Sequence, residues 1–434
     1  FWLKPRLSQP RRGGLLGMVD GREAALAPGC SAEVEPGLGS SIGSPVCEGG
    51  KASPRAITLN LICGGFGLGI FSLPWSTAGA SLFPGLLIIV GTVALNAWTV
   101  SILVEGAERY QAFDLGALLS NLPSRISGPA QLATNVSVWI VLWGSQVGYI
   151  DVLTDALMEI LPFHQRSLGV FLSSIVVLPL GFLDQRYLNF TSALAVVVNL
   201  YIFIVMALQP AKGQADICLV GDGRGDISMV SVMMMAIVIQ MCVLPMYKEL
   251  EDRSPAKFGK AVLSGFSGLA SIFGIFAVVG YLRFGPDVQG NILDSLPHTV
   301  WGKIARVGAG LSVGCVYPIF LQSMVAPFWN MTGPWRNAVA TAATVVTVAL
   351  TGFGALLVKN VSLVNTFDGA FCAIVFVAAI PGLVGLQLLE RRSRAWRASM
   401  VALIVFGAVT GVLGMIYTKN YPQELHQHCA WTLR

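Results

Sequence analysis

Residues Thr58 to Gly79 read TLNLICGGFGLGIFSLPWSTAG. The stretch is apolar enough for hydrocarbon and holds no charged residue, yet Gly64, Gly65, Gly67, Gly69 and Pro74 interrupt it. Glycine costs about 1 kcal/mol in a helix interior and proline about 3, so a helix here is expected to break. Two readings of the glycines stay open. A break frees backbone N–H groups at the start of a half-helix, where they and the helix dipole can hold an anion such as a carboxylate. Gly65 and Gly69 also form a GxxxG pair, the spacing that lets two helices pack closely. A nucleotide-binding loop does not fit, because no Lys-Ser or Lys-Thr follows and the setting is not a strand.

Outward from this segment, the chain is 54% hydrophobic and 12% charged, about half the roughly 25% charge of a soluble domain. The apolar residues gather in blocks at Ala56 to Gly79, Leu82 to Val104, Ala133 to Met158, Leu168 to Leu183, Leu188 to Leu208 and Ile227 to Met246. Others follow at Ala261 to Leu282, Ile304 to Trp329, Ala338 to Val358, Val364 to Leu389 and Ala398 to Tyr417. Each approaches the ~20 residues that carry a helix across ~30 Å of hydrocarbon at 1.5 Å per residue. Strand-length alternation is absent, so a β-barrel is excluded. An all-α polytopic membrane protein of about eleven transmembrane helices is expected.

Residues 1–51 are rich in Gly, Pro, Ser and Arg and read as a disordered cytoplasmic tail, leaving 52–434 as the transmembrane domain. The chain begins with Phe1, which reads as an incomplete amino terminus or an uncertain gene model, with Met18 as an alternative start. Placing the amino terminus in the cytoplasm concentrates Lys and Arg about twofold on the inner side, including Lys248, Arg253, Lys257, Lys260 and Arg391 to Arg397, as the positive-inside rule requires. The net charge of +5 is thereby loop charge, and no nucleic-acid surface is read. The eight cysteines form no framework. Cys218 and Cys429 share the outer side, which permits a disulfide without requiring one.

Further motifs add a family resemblance. After the first-helix segment come Val243-Leu244-Pro245-Met246-Tyr247-Lys248-Glu249-Leu250-Glu251-Asp252, Ser254-Pro255 with Phe258, Gly280-Tyr281-Leu282-Arg283-Phe284-Gly285 with Asn291-Ile292-Leu293, and Val316-Tyr317-Pro318. In that order, over roughly residues 52 to 390, they resemble the amino acid/auxin permease family, transmembrane amino acid transporters of the APC superfamily. The resemblance implies a LeuT-like 5+5 inverted repeat plus one extra helix, with helices one and six discontinuous around the substrate. Carried onto this chain, the substrate contacts would be Gly64, Gly65, Phe66, Gly67, Leu68 and Gly69 in helix one, and Gln240, Met241, Cys242, Val243 and Leu244 in helix six. Many relatives carry a histidine where Gln240 stands, so substrate choice is expected to depend on Gln240. Pro245 is the only breaker in that sixth helix.

The implied function is secondary active transport of a small amino acid by alternating access, coupled to H+ or Na+, with no other cofactor and no metal site. In LeuT-type folds a cation can sit between the first and eighth helices, which nominates Ser312 and Asn60; Ser312 also reads as a small packing residue. Asp151 and Asp368 are the candidates for proton coupling. Asp151, Asp155 and Glu159 recur every four residues on one helix face, read as a solvated interface or as an outer vestibule. Gly310 to Gly314 matches GxSxG, but His164, His298, His426 and His428 all lie in connections or the tail, and a serine nucleophile needs a base within reach. No enzyme is expected. An amino-acid-sensing membrane receptor without net transport is the alternative. The plasma membrane and a vacuolar or lysosomal membrane are not distinguished, and the sequence carries no signal of oligomeric state.

Overall fold

The computed structural model describes residues 52–432, apart from 66, 162–164, 183–190, 211–216, 224, 330, 359–360, 390–392 and 417–428. The first crossing comes in two halves, α1 (Pro54–Gly64) and α2 (Leu73–Ala80), joined by an extended link and a 3-10 turn at Leu68–Ser72. Then come α3 (Leu82–Tyr110), the short inner α4 (Leu115–Ser120), α5 (Ser124–Ile160), α6 (Arg166–Leu180) and α7 (Thr191–Ala207). After strand β1 (Cys218–Val220) the pattern recurs. A second split crossing, α8 (Asp226–Ala236) and α9 (Val243–Glu249), leads to α10 (Pro255–Phe284), the outer turn α11 (Ile292–Ser295), α12 (Val300–Trp329) and α13 (Arg336–Leu357). The tenth crossing joins α14 (Val361–Cys372) to α15 (Ile380–Gln387) through a π-helical segment, Ala373–Ala379. Finally come α16 (Arg394–Ile416) and β2 (Trp431–Thr432).

Among the described residues, 7 helical runs are long and apolar enough to cross a membrane unaided. The other apolar blocks of the sequence fall on the two split crossings and on the shorter α6 and α7. Each half of the repeat therefore opens with a broken helix, and five crossings per half make the halves enter from opposite sides. Pro74 and Pro245 both sit in the first turn of the second half-helix, α2 and α9, where a missing N–H costs least. They seed the new helices; glycines mark the gap in the first crossing, and lost backbone pairing alone marks the second.

The outer surface of the bundle is apolar. On α13, Val346, Leu350, Phe353 and Leu357 are exposed at helical spacing, a stripe that water would penalise and lipid does not. The protein is a multi-pass integral membrane protein. Residues 1–51, read as a tail, lie outside the described residues. Ala52 clips the start of the domain to the end of α9, donating to Glu249 O at 2.8 Å and accepting from Glu251 N at 3.0 Å.

One expectation about cysteines is corrected. Cys218 and Cys429 are disulfide-bonded, and β1 and β2 pair antiparallel with Cys218 opposite Thr432. A sequence separation of 211 hid the partner until the fold carried the carboxyl-terminal strand onto the outer loop. Such bonds persist in oxidising compartments, so they agree with an inner side marked by Lys and Arg. Cysteine tags near Lys257 and Arg394 are expected to resist an impermeant thiol reagent applied from the outer side, while a tag near Gly221 reacts. The opposite labelling pattern rejects this orientation. Cys218→Ser is expected to lower the thermal midpoint, since a bond closing so long a loop stabilises by about 2–5 kcal/mol. An unchanged midpoint with no newly reactive thiol counts against a structural disulfide.

Candidate functional site

The glycines of the first break divide into two pairs. A Cβ built on Gly64 or Gly67 meets nothing within 4 Å, whereas one on Gly65 would run into the Leu269 side chain and one on Gly69 into Ala236 at 2.7 Å. The helix breaks here, and the glycines differ by position: Gly65 and Gly69 permit close packing, and Gly64 and Gly67 face open space. Gly67 is extended, at φ −97°, ψ −167°, a conformation open to any residue. Leu68 and Gly69 open the 3-10 turn, so their N–H groups have no carbonyl behind them in the helix to reach. Asn365 on α14 fixes this turn, donating to Leu68 O at 3.2 Å and to Ser72 Oγ at 2.9 Å.

In the sixth crossing, Gln240 does what glycine does in the first. Its side chain is fully buried. Nε2 donates to Asn96 Oδ1 at 2.8 Å and Thr99 Oγ1 at 3.1 Å on α3, and Oε1 accepts from Ile239 N at 3.1 Å. The amide thereby supplies hydrogen bonds that the helix gives up between Ile237 and Cys242, and holds the gap against α3. The last carbonyls of α8 are left directed into the break, the negative end of a half-helix.

The two breaks meet at a cavity of about 120 Å³. Gly64, Gly67, Leu68 and Gly69 form one wall, and Met235, Ala236, Val238 and Met241 another. Helices α5, α7 and α12 complete it with Ser145, Tyr149, Asn199, Ser312 and Phe320, among others. Tyr149 and Phe320 pack edge to face, 5.4 Å apart. None of the lining residues is Asp, Glu, Lys, Arg or His. Asn199 Oδ1 and Ser145 Oγ are buried there without a hydrogen-bond partner. Positive helix-end potential on one side, carbonyls on the other and neutral walls suit a molecule with separated charges and no net charge.

Of the helix-six residues expected at the site, Met241 reaches the cavity; Gln240, Cys242, Val243 and Leu244 do not line it. Gly65 packs against α10, and Phe66 lies outside the described residues. Ser312 lines the cavity from α12 and Asn60 does not. Asn199 and Tyr149 were missed by the sequence reading, although Asn199 stands in the middle of an apolar block, where a polar residue is a functional signal. Tyr149 carried none.

Polar clusters stand toward both ends of the bundle. On the outer side, Arg166 pairs with Asp151 at 2.7 Å and Asp155 at 3.3 Å, and Arg306 meets Glu159 at 3.4 Å. Arg306 is 4% exposed and also donates to Leu293 O at 3.2 Å, tying α11 to α12 and α5. The three acids of this helix face are thus paired with arginines from neighbouring segments, Asp151 buried and Asp155 and Glu159 partly exposed. On the inner side, Glu108 accepts from Tyr247 Oη at 2.8 Å and Arg253 Nε at 3.1 Å, while Arg253 stacks 4.2 Å above the Phe113 ring.

A family model described as transmembrane amino acid transporter protein matches residues 50–419. Similar curated proteins include amino acid transporter AVT6E of Arabidopsis thaliana, 24% identical over 403 residues that cover 83% of this chain and 82% of that protein. The putative sodium-coupled neutral amino acid transporter 11 of Rattus norvegicus is 22% identical over 427 residues, 90% of each chain. Vacuolar amino acid transporter 6 of Saccharomyces cerevisiae is 23% identical over 290 residues, 62% of this chain and 64% of that one. Among solved structures, the inward facing conformation of Mhp1 matches 86% of this chain and 90% of that one, with a TM-score of 0.54 at 14% identity. At that identity the likeness concerns the fold alone.

Proposed function

The chain belongs to the transmembrane amino acid transporter family, and from that premise we propose that it is a secondary active carrier of small, electrically neutral amino acids. The observation that carries this reading is the pair of opposed half-helix ends on one uncharged cavity. The N–H groups at Gly67 to Gly69 receive the substrate carboxylate, and the carbonyl end of α8 with Asn199 Oδ1 receives the ammonium group. A substrate with a charged side chain would bury an uncompensated charge among apolar walls, at a cost of several kcal/mol. The printed name of one similar protein, a putative sodium-coupled neutral amino acid transporter, agrees with that choice.

Alternating access follows from the two closures. The Arg306–Glu159 contact seals the outer path and the Glu108–Tyr247–Arg253 cluster seals the inner one, so breaking either in turn opens the cavity to one side. A cation gradient drives the cycle, with H+ or Na+ as the coupling ion. Gly64, Gly67, Leu68, Gly69, Met241, Asn199 and Ser312 are the contacts assigned to substrate or ion.

The test is uptake of a panel of labelled amino acids into proteoliposomes holding the full chain, with sodium and pH gradients varied independently. Small neutral amino acids should accumulate above equilibrium, and lysine, arginine and glutamate should not. A signal that saturates at the amount of protein would identify a receptor and sink the carrier reading. The outer seal has its own test. Arg306→Ala should speed the reaction of Ser312→Cys with an impermeant reagent from the outer side by about tenfold, the effect of 1.4 kcal/mol. Equal rates with and without Arg306 remove it from the seal.

A further inference from the structure

Behind the substrate cavity, on α14, lies a carboxyl group with nothing to balance it. Asp368 is 1% exposed, and neither of its oxygens has a hydrogen-bond partner. It packs directly on Gly144 of α5, whose missing side chain leaves the space that the carboxyl group fills. One turn earlier on the same helix, Asn365 holds the broken first crossing through Leu68 O and Ser72 Oγ. The next residue, Gly369, lies against the backbone of Ser231 on α8. Asp368 therefore stands where α14 touches both broken helices and α5 at once. Packing from these elements buries it, although it lies within two turns of the start of its helix.

Charges around it are scarce. On its own helix the Cys372 thiol is the titratable neighbour. From α5 the Ser145 hydroxyl interacts with it, without meeting either oxygen in hydrogen-bond geometry. The facing turn Leu68–Ser72 and the contacting part of α8 around Ser231 hold no ionisable side chain. Asp151, farther along α5, is already paired with Arg166. An ionised carboxylate without a counter-charge inside a membrane bundle costs several kcal/mol, and the neutral acid does not. A hard cation takes a shell of oxygen ligands, and the groups seen beside this carboxyl are Gly144 and the Ser145 hydroxyl.

We propose that Asp368 is the proton-binding residue of this carrier, loaded as the neutral acid when the bundle is closed and releasing its proton when the seam around α14 opens to water. Ser145 links the two sites, since it lines the cavity and adjoins Asp368. The released proton passes to water by way of that hydroxyl. Ionised Asp368 is tolerated only while water reaches it, so the closed state of the first crossing, held through Asn365, requires the proton. That requirement is coupling: substrate and proton are enclosed together.

This inference rests on the carrier reading, and the tests separate the two. Infrared difference spectra on deuterium exchange, which need no substrate, should show a carboxylic-acid C=O band at neutral pH that is missing in Asp368→Asn. In proteoliposomes, the amino acid giving the largest signal in the uptake panel serves as the probe. One pH unit can sustain about tenfold accumulation of a neutral substrate moved with one proton, since 1.36 kcal/mol is a factor of ten. Wild type should approach that ratio, whereas Asp368→Asn should equilibrate the probe without accumulating it. Absence of the acid band in wild type overturns the proposal, as does accumulation by Asp368→Asn that still follows the pH gradient. Accumulation by wild type that follows sodium and ignores pH overturns it too. If wild type moves no amino acid at all, the carrier reading fails, and the infrared band still decides the protonation of Asp368.

Discussion

Gly67→Val is expected to reach the membrane at normal abundance and to lose nearly all transport. The position is extended, at φ −97° and ψ −167°, a conformation that valine adopts readily. A Cβ there meets no neighbouring atom, so folding has nothing to resist. The new side chain instead enters a cavity of about 120 Å³, beside the N–H groups assigned to the carboxylate. A hydrogen bond to a charged group is worth roughly 1.5–3 kcal/mol, so displacing one weakens binding by about ten- to a hundred-and-fiftyfold. Gly69→Val should fail differently. Its Cβ would collide with Ala236 of α8, a rigid methyl and backbone, and overpacking of this kind costs about 1–3 kcal/mol or more. Low abundance is expected there, and alanine should not fully rescue it, because the clash begins at Cβ. Surface abundance and initial uptake rate, measured on both variants, decide the matter. Wild-type uptake by Gly67→Val would remove the first break from the substrate site.

Gln240→Leu carries the second large effect, on stability. The substitution keeps the volume roughly constant but strips the hydrogen bonds to Asn96 and Thr99, and leaves the Ile239 N–H without its acceptor. Each buried polar group left unpaired costs about 1–3 kcal/mol. The thermal midpoint should fall sharply, and any remaining transport should keep the wild-type order of substrate preference, since Gln240 does not line the cavity. The expectation from sequence is a different pattern, an altered substrate preference. Thermal melts of detergent-solubilised protein alongside the uptake panel tell them apart. A changed preference at constant midpoint would return Gln240 to the substrate site.

The sequence by itself determined the solvent, the fold class and the place of the first break. Blocks of ~20 apolar residues have few stable forms in a bilayer, because every backbone group must find an internal partner. Glycine's helix cost is a local property that needs no knowledge of neighbours, so the interruption at Gly64 to Gly69 was legible in one line of sequence. The expected orientation rests on the same kind of local count, Lys and Arg in alternate loops.

Tertiary structure decided whatever depends on which face of a helix meets which neighbour. The sequence could not say that Gly67 opens to the cavity while Gly69 presses on Ala236, since residues two apart in a turn diverge according to a partner on another helix. Gln240, a polar residue at a predicted break, looked like a ligand contact; only the position of α3 turned its amide into a structural anchor. Asp151 and Asp368 are the same residue type in similar apolar settings, yet Arg166 reaches one and no basic side chain pairs with the other among the described residues. Pairing across long stretches of chain, the Cys218–Cys429 bond included, is a property of the assembled bundle, and no local rule along the sequence contains it.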